Sequence, residues 1–134
     1  MTMPMPPLAE VDLGQVLRTL ADPLRRGVVS ELSADLSDTE RACSSFPMPV
    51  TKSTKTHHWR ALREAGLIVQ RDAGNGTFVR LRRAEFEQRF PGLLRTLTAL
   101  VDADDEQPRP GSGSRPHVRL RRRRPLLPFG QLEP

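Results

Sequence analysis

The segment Thr51-Lys52-Ser53-Thr54-Lys55-Thr56-His57-His58-Trp59-Arg60 gathers hydroxyls, imidazoles and cations with few apolar groups between them. Thr51 is a suitable N-cap, and Gly66 a C-terminal stop, for a helix predicted from Lys52 to about Ala65. Counting about 100° per residue from Leu62, Trp59 falls at ~60° and His58 at about −40°, whereas Ser53, Arg60, Thr56 and His57 all fall more than ~100° away. One face is therefore apolar and inward, and the other carries small polar groups and a guanidinium. Arg donates two bonds to guanine, and hydroxyls or imidazoles meet bases or phosphates. The first-turn amides of such a helix also receive a phosphate. Lys55 falls at ~20°, on the inward side, where either its stem covers the core edge while its ammonium reaches outward, or it is simply solvated at the helix start. Thr56-His57-His58 is polar enough to suggest catalysis, but no partner acid accompanies it. A catalytic Ser/His/Asp ordering, a Gly-rich phosphate loop and a metal-ligand spacing are likewise missing from the sequence, so an enzyme is not expected.

The elements that must position this helix can be read on either side of it. Leu13, Val16, Leu17 and Leu20 recur at helical spacing, and Asp22-Pro23 stops that helix and caps a second one carrying Leu24, Val28 and Leu32. Ser37-Asp38-Thr39-Glu40 has the capping-box pattern and predicts a short third helix to about Ser44. Phe46-Pro47-Met48-Pro49 marks a turn. After Gly66, Leu67 to Arg71 and Thr77 to Leu81 read as strands joined through Ala73-Gly74-Asn75-Gly76, where Asn-Gly signals a hairpin. Arg71, Arg80, Arg82 and Arg83 cluster around that hairpin, suited to phosphate or minor-groove contact. A last helical stripe runs from Phe86 to Val101, broken or kinked at Pro91. The expected fold class is mainly α with a small β-hairpin, a winged helix-turn-helix. Its domain spans residues 8–103, with a frayed start at 1–7 and a disordered Pro/Arg-rich tail at 104–134. In the tail, Arg119 and Arg121 to Arg124 form a basic run that either anchors to DNA without sequence preference or is simply solvated.

The net charge of +5 on 134 residues is unevenly placed. Residues 48–83 sum to +6 and residues 108–134 to +6, while residues 1–47 carry −3 and residues 84–107 carry −4. Positive blocks between acidic ones describe a localised polyanion-binding face. Cys43 is the single cysteine, so neither an intrachain disulfide nor a multi-thiolate metal site can form. No apolar run is long enough for a membrane helix, and Met1 to Leu8 lack the features of a secretory signal. A reducing, cytoplasmic and nucleoid-associated setting is expected.

Leu17-Arg18-Thr19-Leu20-Ala21-Asp22-Pro23-Leu24-Arg25-Arg26 resembles the first-helix signature of the ArsR family of winged-helix repressors. Ser53 to Leu67, with its double His and its Leu-Arg-Glu-Ala-Gly-Leu ending, is similar to that family's recognition helix and exit into the first strand. The resemblance covers residues 10–100. It implies a dimeric repressor on a pseudo-palindromic double-stranded DNA operator, packed through helices near 10–21 and 84–103, with repression relieved by a signal. The candidate DNA contacts are Thr51, Lys52, Ser53, Lys55, Thr56, His57, Arg60 and Arg63 on the helix, and Arg71, Asn75 and Arg80 on the hairpin. The chain departs from the metal-sensing members. Its third-helix region offers only Cys43, and its last helix has no His. His57 and His58 point apart by about 100° and cannot chelate one ion well. No cofactor or metal is expected. Cys43 is read as a small core residue, or as a redox switch if it is exposed near Arg41. The alternative to a regulator is a winged-helix module for protein interaction or non-specific nucleic-acid binding.

Overall fold

The computed structural model describes residues 1–106. The expectations for the basic run at Arg119 and 121–124, and for nearly all of the tail, lie outside the described residues. Helix α1 (Leu13–Leu20) starts where the Asp12 carboxylate accepts the Gln15 amide. Helix α2 (Pro23–Ala34) starts at Asp22, whose Oδ2 accepts the amides of Leu24 and Arg25 at 2.9 and 3.1 Å. Pro23 at the first helical position lacks the N–H that such a position leaves unpaired anyway. The two helices meet at a tight corner, where Arg26 Nη1 donates to the carbonyls of Leu20 and Ala21.

The predicted third helix does not form. Ser37 Oγ, the expected cap, is 2.6 Å from Asp35 Oδ1 and donates to it, and the same carboxylate accepts the amides of Ser37 and Thr39. Asp38 then takes a left-handed φ of 53°, and Arg83 holds its carboxylate with two bonds of 2.8 Å. An Asx turn of this kind competes with the helix for the same donors. Glu40, the other half of the expected box, turns away to Arg71. The chain continues extended, as strand β1 (Arg41–Ala42), and then makes one 3-10 turn at Cys43–Ser45.

Helix α3 (Lys52–Glu64) begins as the sequence predicts, with Thr51 Oγ1 accepting the Thr54 amide at 3.2 Å. It ends in a Schellman arrangement: Gly66 donates to the Arg63 carbonyl and Leu67 to the Leu62 carbonyl. Gly66 sits at φ +77°, where a side chain is strained, and a Cβ there would also crowd Leu8 Cδ1 at 3.0 Å. Strands β2 (Ile68–Asp72) and β3 (Thr77–Leu81) form the hairpin, with Ile68 opposite Leu81 and Asp72 opposite Thr77. At its tip the left-handed residue is Gly74 (φ +88°) rather than Asn75, so the expected Asn-Gly turn becomes a slightly longer loop closed by Ala73 donating to Gly76. The sheet is antiparallel in the order β1-β3-β2. Helices α4 (Arg83–Arg89) and α5 (Leu93–Glu106) are separated at Phe90-Pro91-Gly92, the break the proline predicts.

Residues 1–7, expected to fray, are tied down instead. Met3 donates to the Gln70 carbonyl and Asp72 to the Met1 carbonyl, so the chain start covers the free edge of β2. Arg63 and Arg82 donate to the carbonyls of Pro4 and Pro6, and Arg89 to those of Leu8 and Val11. Met1–Val101 form one compact unit. Its core joins Val16 and Leu20 of α1, Val29 and Leu32 of α2, Leu62 of α3, Ile68, Val79 and Leu81 of the sheet, and Phe86 of α4. The fold is a winged helix.

Candidate nucleic-acid interface

Helix α3 is fixed to the body by its inner face and by a contact at its C-terminal end. His58, Trp59 and Leu62 are buried, with Trp59 meeting Phe46 edge to face at 5.7 Å between ring centres. At its C-terminal end, Gln15 of α1 donates Nε2 to the Glu64 carbonyl at 3.0 Å, satisfying an acceptor that a helix end leaves unpaired. These contacts leave one face in solvent. Lys52, Ser53, Thr56, His57 and Arg60 line a single open surface, and Thr51 stands at its edge. Thr56 Oγ1 donates to the Lys52 carbonyl, which leaves its lone pairs outward as acceptors. Lys55 is exposed, solvated at the helix start rather than covering the core edge, and Thr54 takes the half-buried position.

The basic stretch from 48 to 83 divides into two groups. Arg63, expected at the interface, is half-buried and donates to Gln70 Oε1 at 2.7 Å as well as to Pro4. Arg82 is buried between Pro6 and Glu85, and Arg83 ties Asp38 to the carbonyls of Leu32, Ser33 and Asp35. Arg71 lies on the hairpin as expected, but its guanidinium forms a two-bond fork with Glu40 at 2.8 and 3.0 Å and covers the Phe78 ring. That fork holds the Glu40 carboxyl below the usual carboxylate range and pushes the Arg71 guanidinium up. Lys52, Lys55, Arg60 and Arg80 are exposed and form no ion pair among the described residues. Asn75 is exposed at the hairpin tip. The arrangement offers donors and cations on the helix face and on the hairpin.

Cys43 does not meet the condition for a redox switch. It is buried beside Gln70, whose Nε2 lies 3.7 Å from Sγ, and burial pushes its thiol up, against smaller opposing hydrogen bonds from Thr77 and Gln70. A protonated thiol is a poor nucleophile. Arg41 is directed elsewhere, to Glu31 and Ser45. Among the described residues no three His, Cys, Asp or Glu side chains are grouped to hold a metal, and no helix is long and apolar enough to cross a membrane. Three contributors were not legible from the sequence: Glu40 as partner of Arg71, and Arg25 with Asp22 as partners of His58. The only signal for any of these was the Asp22 capping position.

A winged helix with an exposed polar and cationic face on the helix before the wing belongs structurally with the nucleic-acid-binding helix-turn-helix proteins. The chain is 32% identical over 85 residues to an uncharacterized HTH-type transcriptional regulator, YceK, of Bacillus subtilis (strain 168), a match covering 62% of this chain and 83% of that one. The chain belongs to the HTH-type transcriptional regulators. Within that family, Leu17 to Arg26 and Ser53 to Leu67 carry the resemblance to the ArsR type. An ArsR-like transcriptional regulator from Rhodococcus sp. RHA1 is similar at a TM-score of 0.45 and 25% identity, over 70% of this chain and 83% of that one. No protein-family model matches the chain.

Proposed function

We propose that this chain is a sequence-specific, dimeric repressor of the ArsR type that binds double-stranded DNA with α3 in the major groove and the β2–β3 hairpin as its wing. The observation that carries the reading is the single exposed face of α3, where Lys52, Ser53, Thr56, His57 and Arg60 stand together without apolar residues among them. Arg60 is the base reader, because its guanidinium has no ion pair among the described residues and stands mid-helix. Lys52, Ser53 and the helix N-terminus meet phosphate. Arg80 and Asn75 supply the wing contacts. Dimerisation is supported by the leucines that α1 and α5 leave in solvent, Leu13, Leu17 and Leu100. Repression, rather than activation, rests on the ArsR resemblance.

Fluorescence anisotropy against a duplex selected from a random pool tests this reading, with an unselected duplex as reference. Salt-sensitive binding with preference for the selected duplex is expected. Arg60→Ala should lose about 1–3 kcal/mol on the selected duplex and far less on the reference. Equal losses on both would move Arg60 to phosphate contact, and absence of binding would leave a protein-interaction module. Transcription from a template bearing the selected sequence, with and without the protein, then tests repression.

A further inference from the structure

Where α3 comes against the start of α2, a buried histidine meets two partly exposed charged side chains. His58 is 6% exposed, on the face of α3 turned away from Arg60. Arg25 of α2 donates its Nε to His58 Nδ1 at 3.1 Å. The other ring nitrogen, Nε2, faces Asp22 Oδ2 at 4.0 Å, and that oxygen is itself held by the amides of Leu24 and Arg25. A guanidinium has donors only and stays charged, so the 3.1 Å contact requires a bare Nδ1. The ring is therefore neutral, with its proton on Nε2 directed at the carboxylate. That tautomer alone leaves Nδ1 free to accept from Arg25 while turning an N–H toward the carboxylate 4.0 Å away.

We propose, building on the DNA-binding reading of α3, that His58 is a positioning residue whose neutral ring, held by Arg25, fixes the recognition helix against α2 in its DNA-binding pose, so that protonation of His58 weakens DNA binding. A proton on Nδ1 removes the acceptor and sets two cations face to face. The groups that act on the ring are Asp22 and Arg25 from the start of α2 and His57 from its own helix. Burial holds the His58 imidazole below its ordinary value of 6.5; Asp22 pulls it up, and Arg25 and His57 push it down again. A released imidazole takes its proton near its ordinary value while the docked one resists. The docked arrangement is therefore at full strength above about pH 6.5 and is lost progressively as the pH falls below it. Protonation of His57, on the exposed face, acts in the opposite sense by adding positive charge toward phosphate.

The test is anisotropy on the selected duplex between about pH 7.5 and about pH 5.5, the range over which a histidine changes charge. Wild type should lose affinity progressively as the pH falls below 6.5, by no more than roughly tenfold at about pH 5.5, the ceiling set by one pH unit below the ordinary histidine value. His58→Asn keeps an acceptor where Nδ1 stands but cannot titrate, and should lose less than about twofold. Arg25→Ala, which leaves the ring untouched, should weaken binding at neutral pH and flatten the pH response. A His58→Asn variant that loses affinity as steeply as wild type overturns the proposal. Imidazole nitrogen shifts in the free protein give an independent readout. A neutral ring protonated at Nε2 is expected at neutral pH, and a charged ring or one protonated at Nδ1 overturns the contact whether or not DNA binds. Failure of wild type to bind any duplex overturns the DNA reading, while the tautomer still decides the contact itself.

Discussion

Arg60 and Arg71 stand in the same basic stretch and would read alike in a list of cations, yet their surroundings differ. Arg60 is open to solvent, whereas Arg71 is clasped by Glu40 in a two-bond fork. In the proposed complex a phosphate approaching Arg71 would have to displace a carboxylate of matching geometry, so Glu40 would temper the wing's attraction for any duplex. Glu40→Gln should therefore tighten binding to the unselected duplex by about twofold to tenfold and steepen the salt dependence by about one unit of slope, with little change in stability because the pair is exposed. Anisotropy at several salt concentrations measures both; unchanged affinity and slope would mean that Arg71 does not reach phosphate. The pH sense follows from the depressed Glu40 carboxyl. The fork is complete above the ordinary value of 4.5 and is lost as the pH falls through the lower folded value, so Arg71 is released only in acid well below the range in which His58 acts. Nothing in the sequence could pair these residues, since they lie 31 positions apart and meet only because β1 joins the sheet.

Elements with one locally strong signal were legible; those decided by competition between signals were not. The α3 boundaries follow from Thr51 and Gly66, each of which acts within its own turn. The break at Pro91 is equally local. The capping box at Ser37–Glu40 failed because Asp35, just upstream, offers its carboxylate to the same hydroxyl and amides, and because Arg83 and Arg71 attract Asp38 and Glu40 from the far side of the fold. The outward face of α3 was readable from periodicity. Which of its arginines stay open was not, because Arg63 turns inward to a carbonyl at the chain start. Gly66 offers the sharpest test at this scale. An alanine there adds a Cβ at 3.0 Å from Leu8 in a left-handed backbone, and the backbone penalty alone is about 1–2 kcal/mol. Gly66→Ala should lower the urea midpoint accordingly and weaken DNA binding with it, since the same glycine sets the exit of α3 into the wing. A midpoint within error of wild type would show that the α3–β2 corner relaxes without cost.

For the whole molecule, the proposed reading asks one small α3 face to become selective for a DNA site. A single recognition helix reads only a few base pairs, and each mismatch costs about 1–3 kcal/mol, so two helices held at a fixed spacing are needed to separate one site from a genome of competitors. The chain has surface suited to that role. Leu13 and Leu17 lie one turn apart on α1 and are 49% and 51% exposed, and Leu100 on α5 is 62% exposed. None of them is needed by the core, which draws on Val16 and Leu20 from α1 and on Leu94 from α5. Replacing both Leu13 and Leu17 with Glu should leave stability within about 0.5 kcal/mol, as for exposed positions generally. It should also place charge in the proposed dimer contact, and turn the sedimenting species from dimer to monomer. The monomer should keep its salt-sensitive affinity for the unselected duplex, because the α3 face is intact, while losing most of its preference for a selected two-half-site duplex. A monomeric variant that still discriminated between the duplexes would place specificity in one chain. A variant that remained a dimer with full preference would move the interface away from α1, toward the leucines of α5.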